Sequence, residues 1–192
     1  PAERIKLFES AKENLGKISI LVTNADGPPT GEFLSKNSTE WQNSFNNIVL
    51  SAIEMANLCI PDMKQEGFGR IVNISSVSAK NMTNGSVLAN SLKPALIAAF
   101  KSLSREVAEK GITVNSILPG PFNTDRMRRT KKGLADLSLE EAEKRHASEV
   151  PMKRMGTIEE FGALCAFLCS RQASYITGQS IVIDGGYVKS LL

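Results

Sequence analysis

Apolar positions recur along this chain in two periods, and the period changes several times. Ile5, Phe8, Ala11 and Leu15 stand at helical spacing with charges between them, which predicts a helix over 2–15 stopped by Gly16. Ile18 to Val22 is a short apolar run rich in β-branched residues, so it predicts a buried strand that ends in the turn-forming stretch 23–29. Ser38-Thr39-Glu40 opens a long helical pattern that continues to about Gln65, before Gly67 and Gly69 interrupt it. Arg70 to Ser75 predicts a second strand, and a helix running to about Lys110 follows the loop that holds Asn81, Asn84 and Gly85. Ile112 to Leu118 predicts a third strand, entering Pro119-Gly120-Pro121. The polar stretch 123–151 has helical pieces but little apolar face. Thr157 and Glu160 have the spacing of a capping box for a helix to about Ser170, and Ile181 to Ile183 predicts a last strand.

Strands that alternate with helices and are apolar on both faces imply an α/β domain whose parallel sheet is covered on both sides. Ligands of such sheets sit at the C-terminal ends of the strands. The loops 23–29, 75–90 and 119–130 all fall at that end. The 192 residues suffice for one domain.

Composition narrows the class. With 42% hydrophobic and 22% charged residues the chain is neither disordered nor fibrous. The net charge of +3 comes from 23 basic and 20 acidic residues. One dense basic run, Arg126 to Lys132, precedes Glu140, Glu141 and Glu143, and it lacks the aromatic interleaving of a nucleic-acid surface. Cys59, Cys165 and Cys169 make no even disulfide framework, and the single histidine, His146, is too isolated for a metal site. The cysteines read as small buried residues in a reducing compartment. No apolar run is long enough to span a bilayer, and no signal peptide is present, so the cytoplasm is expected.

Four segments, LVTNADG at 21–27, GRIVNISS at 69–76, GITVNSILPGPFNT at 111–124 and SYITGQSIVIDGGY at 174–187, resemble the short-chain dehydrogenase/reductase family, within it the 3-oxoacyl-acyl-carrier-protein reductase branch. The resemblance covers the whole chain. It implies a Rossmann-like doubly wound parallel sheet in which these strands correspond to the family's strands 4 to 7, with the first βαβ units absent. On that reading residues 1–192 are a single domain, the C-terminal two-thirds of the fold, and 123–155, with Met127, Met152 and Met155, is a substrate-side lid. The resemblance also implies hydride transfer between NADP or NAD and a carbonyl or alcohol. In that chemistry a Tyr is the general acid/base, a Ser polarises the carbonyl, a Lys four residues after the Tyr lowers its pKa, and an Asn supports a water relay.

Carried over by position, the family's Ser falls on Ser76 and its Lys on Lys93. The Tyr position, thirteen residues after Ser76, is Ala89. The Asn position is Ile48, and Asn47 beside it is turned by about 100° on an ideal helix. The cofactor positions fall on Asn24, Ala25, Lys93, Pro119, Gly120 and Thr124, while Asp26 replaces a turn glycine. Pro94 disfavours helical geometry at Lys93, so the helix is expected to begin or kink there. No glycine-rich cofactor turn occurs in the sequence, which makes cofactor binding by this chain doubtful. The resemblance therefore implies an NAD(P)-dependent oxidoreductase impaired or inactive at its proton-transfer step. The alternative is a non-catalytic homologue serving as a binding or assembly subunit. A homo-oligomer, dimer or tetramer, is implied, with a small-molecule or acyl-thioester ligand, no nucleic acid and no membrane. Ile48, Leu50, Ile53, Met55 and Leu58 are more apolar surface than one core face needs. The uncharged strand at 18–22 is expected to be covered at its outer edge rather than bare.

Overall fold

The computed structural model describes residues 2–124 and 139–190. Helix α1 spans Ala2–Leu15 and leads into strand β1, Ile20–Thr23. Helix α2, Ser38–Phe45, passes through a π-helical turn, Asn46–Leu50, into α3, Ser51–Glu66. Strand β2 is Gly69–Ile74, α4 is Val87–Val107 and β3 is Ile112–Pro119. Helix α5, Leu139–Glu149, α6, Ile158–Cys169, and strand β4, Ser180–Ile183, complete the order.

The four strands form one sheet in the order β1-β2-β3-β4, parallel throughout. This is the Rossmann-like α/β architecture that the alternating pattern implies. Because side chains alternate across a strand, Ile71, Ile112 and Val114 face one layer, where they pack with Ala52, Ala56, Met63, Leu92, Leu96 and Phe100 of α3 and α4. Val72 and Ile117 face the other layer and pack with Leu168 of α6. Burying side chains of that size stabilises the fold by about 1.5–3 kcal/mol each.

Several expectations change on this frame. The first strand is Ile20–Thr23 and is not buried, since Ile20 and Val22 are 46% and 45% exposed. Leu21 packs into the α3/α4 layer, whereas α6 lies over β2 and β3 and leaves the Ile20–Val22 face without a helix among the described residues. Strand β1 is also a sheet edge there, paired only with β2, so within the described chain the expected cover is absent. Helix α4 begins at Val87, and Pro94 sits in its interior. Five apolar side chains of α4 are buried, and their packing outweighs the one backbone hydrogen bond that Pro94 removes. The apolar positions of the 38–66 segment are also less surplus than their number suggests. Ile48 is buried, and Leu50, Ile53, Met55 and Leu58 are half-buried, because α1 and α4 cover two sides of it. Arg4–Glu54 and Lys12–Asp62 ion pairs, at 2.5 and 2.9 Å, tie α1 down.

Candidate functional site

The C-terminal ends of the strands open onto a cleft with two lobes. One, of about 800 Å³, is lined by Ser75, Ser76, Ser78, Thr83, Ser86, Ala89, Lys93, Pro119, Gly120, Phe122 and Thr124, with Asn24, Ala25 and Asp26 at its side. The other, of about 730 Å³, lies against Asn43, Asn47, Ile48, Met55 and Asn73 and shares the 24–29 loop, Ser75 and Lys93 with the first. The structure therefore brings Ser76, Lys93, Asn24, Ala25, Pro119, Gly120 and Thr124 around one cavity, together with Ala89. Ile48 joins the second lobe only. Arg126 to Lys132 and Met127 lie outside the described residues, and Met152 is exposed.

Local sequence places each group. Ser76 leaves β2 in extended geometry, and its Oγ accepts the Ser78 backbone N–H at 3.1 Å. That bond uses a lone pair and leaves the Ser76 hydroxyl proton to donate elsewhere. Ala89 and Lys93, four residues apart on α4, face the cleft on one side of the helix, and Ser86 just before its first turn joins them there. Lys93 Nζ donates to Ser75 O at 3.3 Å, so Pro94 leaves the lysine helical and aimed at the β2 end. The Ser75 and Ser78 hydroxyls are buried in the cleft wall without a hydrogen-bond partner.

The helix carrying Asn47 is not ideal. Ser51 N–H bonds Asn46 O across the π-helical turn, which inserts a residue into the helical register. Ile48 still turns into the core, at 3% exposure, and Asn47 remains exposed on the cleft side. A polar relay runs beneath the second lobe. Thr23 Oγ1 donates to Asn73 Oδ1 at 3.2 Å, and Asn73 Nδ2 donates to Ser116 Oγ at 3.3 Å. Asn73, a polar residue within an apolar strand, was the signal in the sequence for this relay.

Ile158 and Phe161 of α6 also reach the first lobe, and sequence reasoning missed them. Phe122 and Phe161 meet edge to face, 5.7 Å between ring centroids, and backbone pairing of Phe122 with Gly156 holds them there. A Cβ at Gly156 would come within 2.4 Å of the Phe122 ring. The first turn of α6 is fixed by the Thr157–Glu160 capping box and by Arg154, which reaches Glu160 at 2.5 and 2.8 Å.

Arg154, then the Thr157 backbone N–H, hold the Glu160 carboxyl at about 2, below its usual 4.5. The folded pKa is depressed, so the stabilisation is fully present above 4.5 and is lost as pH falls from there toward 2. The Tm of Glu160→Gln is therefore expected below that of the unaltered chain at pH 7, with the gap closing between pH 4.5 and 2. Thermal unfolding monitored by circular dichroism across that range checks it. A gap that stays constant would contradict the assignment.

The free thiols suit no nucleophilic role. Burial, then Asp62, pushes Cys59 up to about 11, and burial, then Cys165, pushes Cys169 up to about 11. Among the described residues no three or more histidine, cysteine or acidic side chains cluster as metal ligands. No described helix is long and apolar enough to cross a membrane.

Comparison with known proteins agrees with this geometry. The family described as Enoyl-(Acyl carrier protein) reductase matches residues 1–188. The NADPH-dependent reductase BacG of Bacillus subtilis (strain 168) is 35% identical over 191 residues, covering 98% of this chain and 74% of that protein. A 3-oxoacyl-[acyl-carrier-protein] reductase, FabG, of Buchnera aphidicola subsp. Schizaphis graminum (strain Sg) is 37% identical over 183 residues, 94% of this chain and 72% of the relative. Among solved structures, L-sorbose reductase from Gluconobacter frateurii, complexed with NADPH and L-sorbose, superposes with a TM-score of 0.93 at 30% identity, over 98% of this chain and 73% of that one.

Proposed function

This chain belongs to the short-chain dehydrogenase/reductase family, in its 3-oxoacyl-acyl-carrier-protein reductase-like branch, and from that premise we propose that its cleft receives NADP or NAD and a carbonyl or alcohol ligand but transfers a proton to that ligand poorly. The observation that carries the reading is Ala89. It lines the cleft beside Ser76 and Lys93, where the family has its proton-donating tyrosine. Of the two tyrosines, Tyr175 is fully exposed and Tyr187 follows β4, and neither lines the cleft.

The donor set suits the nicotinamide end of the cofactor. Asn24 and Thr124 offer amide and hydroxyl groups, Lys93 offers an ammonium for ribose hydroxyls, and the unpartnered Ser75 hydroxyl beside Lys93 has hydrogen-bonding capacity to spare. When bound, the nicotinamide supplies or accepts the hydride. Ser76 donates to the ligand oxygen, Lys93 holds the ribose hydroxyls, and the Phe122–Phe161 pair shields the cavity from water. None of these groups replaces the tyrosine as proton donor, since the hydroxyl of a serine is too weakly acidic and the Lys93 ammonium is engaged with the ribose. We read 1–192 as a single domain, 123–155 as the substrate-side segment, and the assembly as a dimer or tetramer. The bare β1 edge supports association, and free thiols support a reducing cytoplasmic setting. The second reading, a non-catalytic binding or assembly subunit, is favoured by the paired replacements Ile48 and Ala89.

The test is NADPH oxidation with an acetoacetyl thioester, alongside fluorescence titration of NADPH. Turnover is expected at background, because a missing general acid costs about 10²–10⁴ in rate. Turnover well above background that disappears on Lys93→Ala would reject the impairment.

A further inference from the structure

We infer that Cys165 and Cys169 of α6 form a two-coordinate site for a soft monovalent cation, copper(I), held between two thiolates beside Arg70. The pair lies on the face of α6 that packs on β2 and β3. Neither cysteine lines the cleft, so this site does not depend on what the cleft binds.

Helical spacing brings the thiols together. The cysteines are four residues apart in Ile158–Cys169, so they stand one turn apart on a shared face. Both pack against the cluster of Val72, Ile117 and Leu168, and both are half-buried, which leaves an ion a way in from solvent. The thiols also act on each other. Burial, then Cys165, pushes Cys169 up, whereas burial raises Cys165 and a hydrogen bond donated by Cys169 opposes that rise.

Distance decides what the pair can hold. Side chains four apart on a helix have Cβ atoms about 5–6 Å apart, and a disulfide needs about 3.5–4.5 Å. Closing a disulfide would therefore distort the last turn of α6. Two metal–sulfur bonds of about 2.3 Å each, the length in zinc thiolates, span about 4.6 Å across a linear centre and suit the helix as it stands. Coordination number narrows the ion. Zinc takes four ligands, and among the described residues no further histidine, cysteine or acidic group joins the pair. Copper(I) is the soft cation that thiolates select, and two of them suffice for it.

Charge points the same way. A monovalent ion and two neutral thiols give a singly negative complex and two protons. That charge falls at the C-terminal end of a helix, where the backbone disfavours it. Arg70 offsets this. Its guanidinium donates to Ser170 O, next to Cys169, at 2.9 Å, and otherwise only to two carbonyls and a hydroxyl, so it is a buried cation without a carboxylate. It is close enough to favour the Cys169 thiolate, while burial, then Arg171, pushes Arg70 itself down. An anionic complex beside it relieves both.

The experiment is anaerobic titration of the full chain with copper(I) against the chromogenic chelator bicinchoninate, with proton release followed in weak buffer. One copper(I) per chain is expected, with about two protons released near pH 7 because both thiols start protonated. Cys165→Ser and Cys169→Ser, or the alanine variants should these not fold, are each expected to weaken binding at least about 10²-fold, the lower end of the gain from linking two ligands. Cys59→Ala removes the thiol buried elsewhere and is expected to leave binding unchanged. Zinc(II) is expected not to bind in place of copper(I). Uptake that persists undiminished in a folded Cys165 or Cys169 variant, zinc(II) bound as tightly as copper(I), or no copper(I) taken from the chelator would each overturn the inference.

Discussion

Ala89→Tyr is expected to raise NADPH-dependent reduction of an acetoacetyl thioester by about 10²–10⁴-fold over the unaltered chain. Ala89 lies one helical turn before Lys93 and lines the same lobe as Ser76, so a side chain extended from it enters the cavity beside both. A phenol ordinarily titrates near 10. A cation within a few ångströms stabilises the phenolate and draws that value down toward the working pH, where proton transfer is most effective. The lobe has the volume for the ring, so the substitution does not demand repacking. Ala89→Phe is the control, since it adds the ring without the hydroxyl and is expected to leave the rate at background. Restoring the second replaced position is a poorer experiment. Ile48 is 3% exposed within the core, and an asparagine there would bury an amide among apolar neighbours. A folded Ala89→Tyr protein that binds NADPH and shows no faster turnover would sink the proposed role of this position.

The second large effect is on stability. Arg70→Ala is expected to cost at least about 3 kcal/mol of unfolding free energy, read as a lowered urea midpoint. Arg70 is 1% exposed and is satisfied without any carboxylate. Its Nε donates to Ser170 O at 2.9 Å, one terminal nitrogen donates to Gly69 O at 2.7 Å and Gly111 O at 3.2 Å, and the other donates to Ser174 Oγ at 2.8 Å. The guanidinium also lies over the Phe68 ring at 4.2 Å, with Arg171 over the same ring at 4.7 Å. It thereby ties the end of α6 to the starts of β2 and β3. Removing it takes this donor from the buried Gly69 carbonyl and the partly buried Ser170 carbonyl, while Gly111 O keeps the Gly69 N–H at 3.3 Å, and a buried carbonyl left unsatisfied costs about 1–3 kcal/mol. Arg70→Lys is expected to recover little, because one ammonium cannot serve four acceptors in different directions. A change under 1 kcal/mol in Arg70→Ala would show that these carbonyls find other partners.

Most of the architecture was legible in the chain. Thr157 and Glu160 announced α6, and both halves of the capping box are present in the structure. The run from Arg70 to Ser75 announced β2 within one residue of its bounds. The family motifs also located the cleft, because the spacing of Ser76, Ala89 and Lys93 is a property of the chain itself. The misreadings have a common origin in contacts between distant segments. Pro94 reads as a helix boundary from its local chemistry, yet six buried side chains of α4 carry the helix through it. Ile20 and Val22 read as buried from their apolarity, and whether a helix lies over that face depends on where α6 packs. Phe161 and Ile158 gave no local sign of facing the cleft, since only the crossing of α6 over β2 and β3 brings them near Phe122.

The sequence by itself determined the element order, the parallel α/β class, the family and the identity of the residue at each motif position, including the methyl group of Ala89. These depend on period, capping and spacing, which are read within a few turns of chain. Tertiary structure alone decided which groups share the cavity, which face of β1 stays exposed and which backbone carbonyls Arg70 satisfies. Those outcomes depend on residues as many as 104 positions apart, as in the bond from Arg70 to Ser174, and no local pattern encodes the packing that brings such positions together.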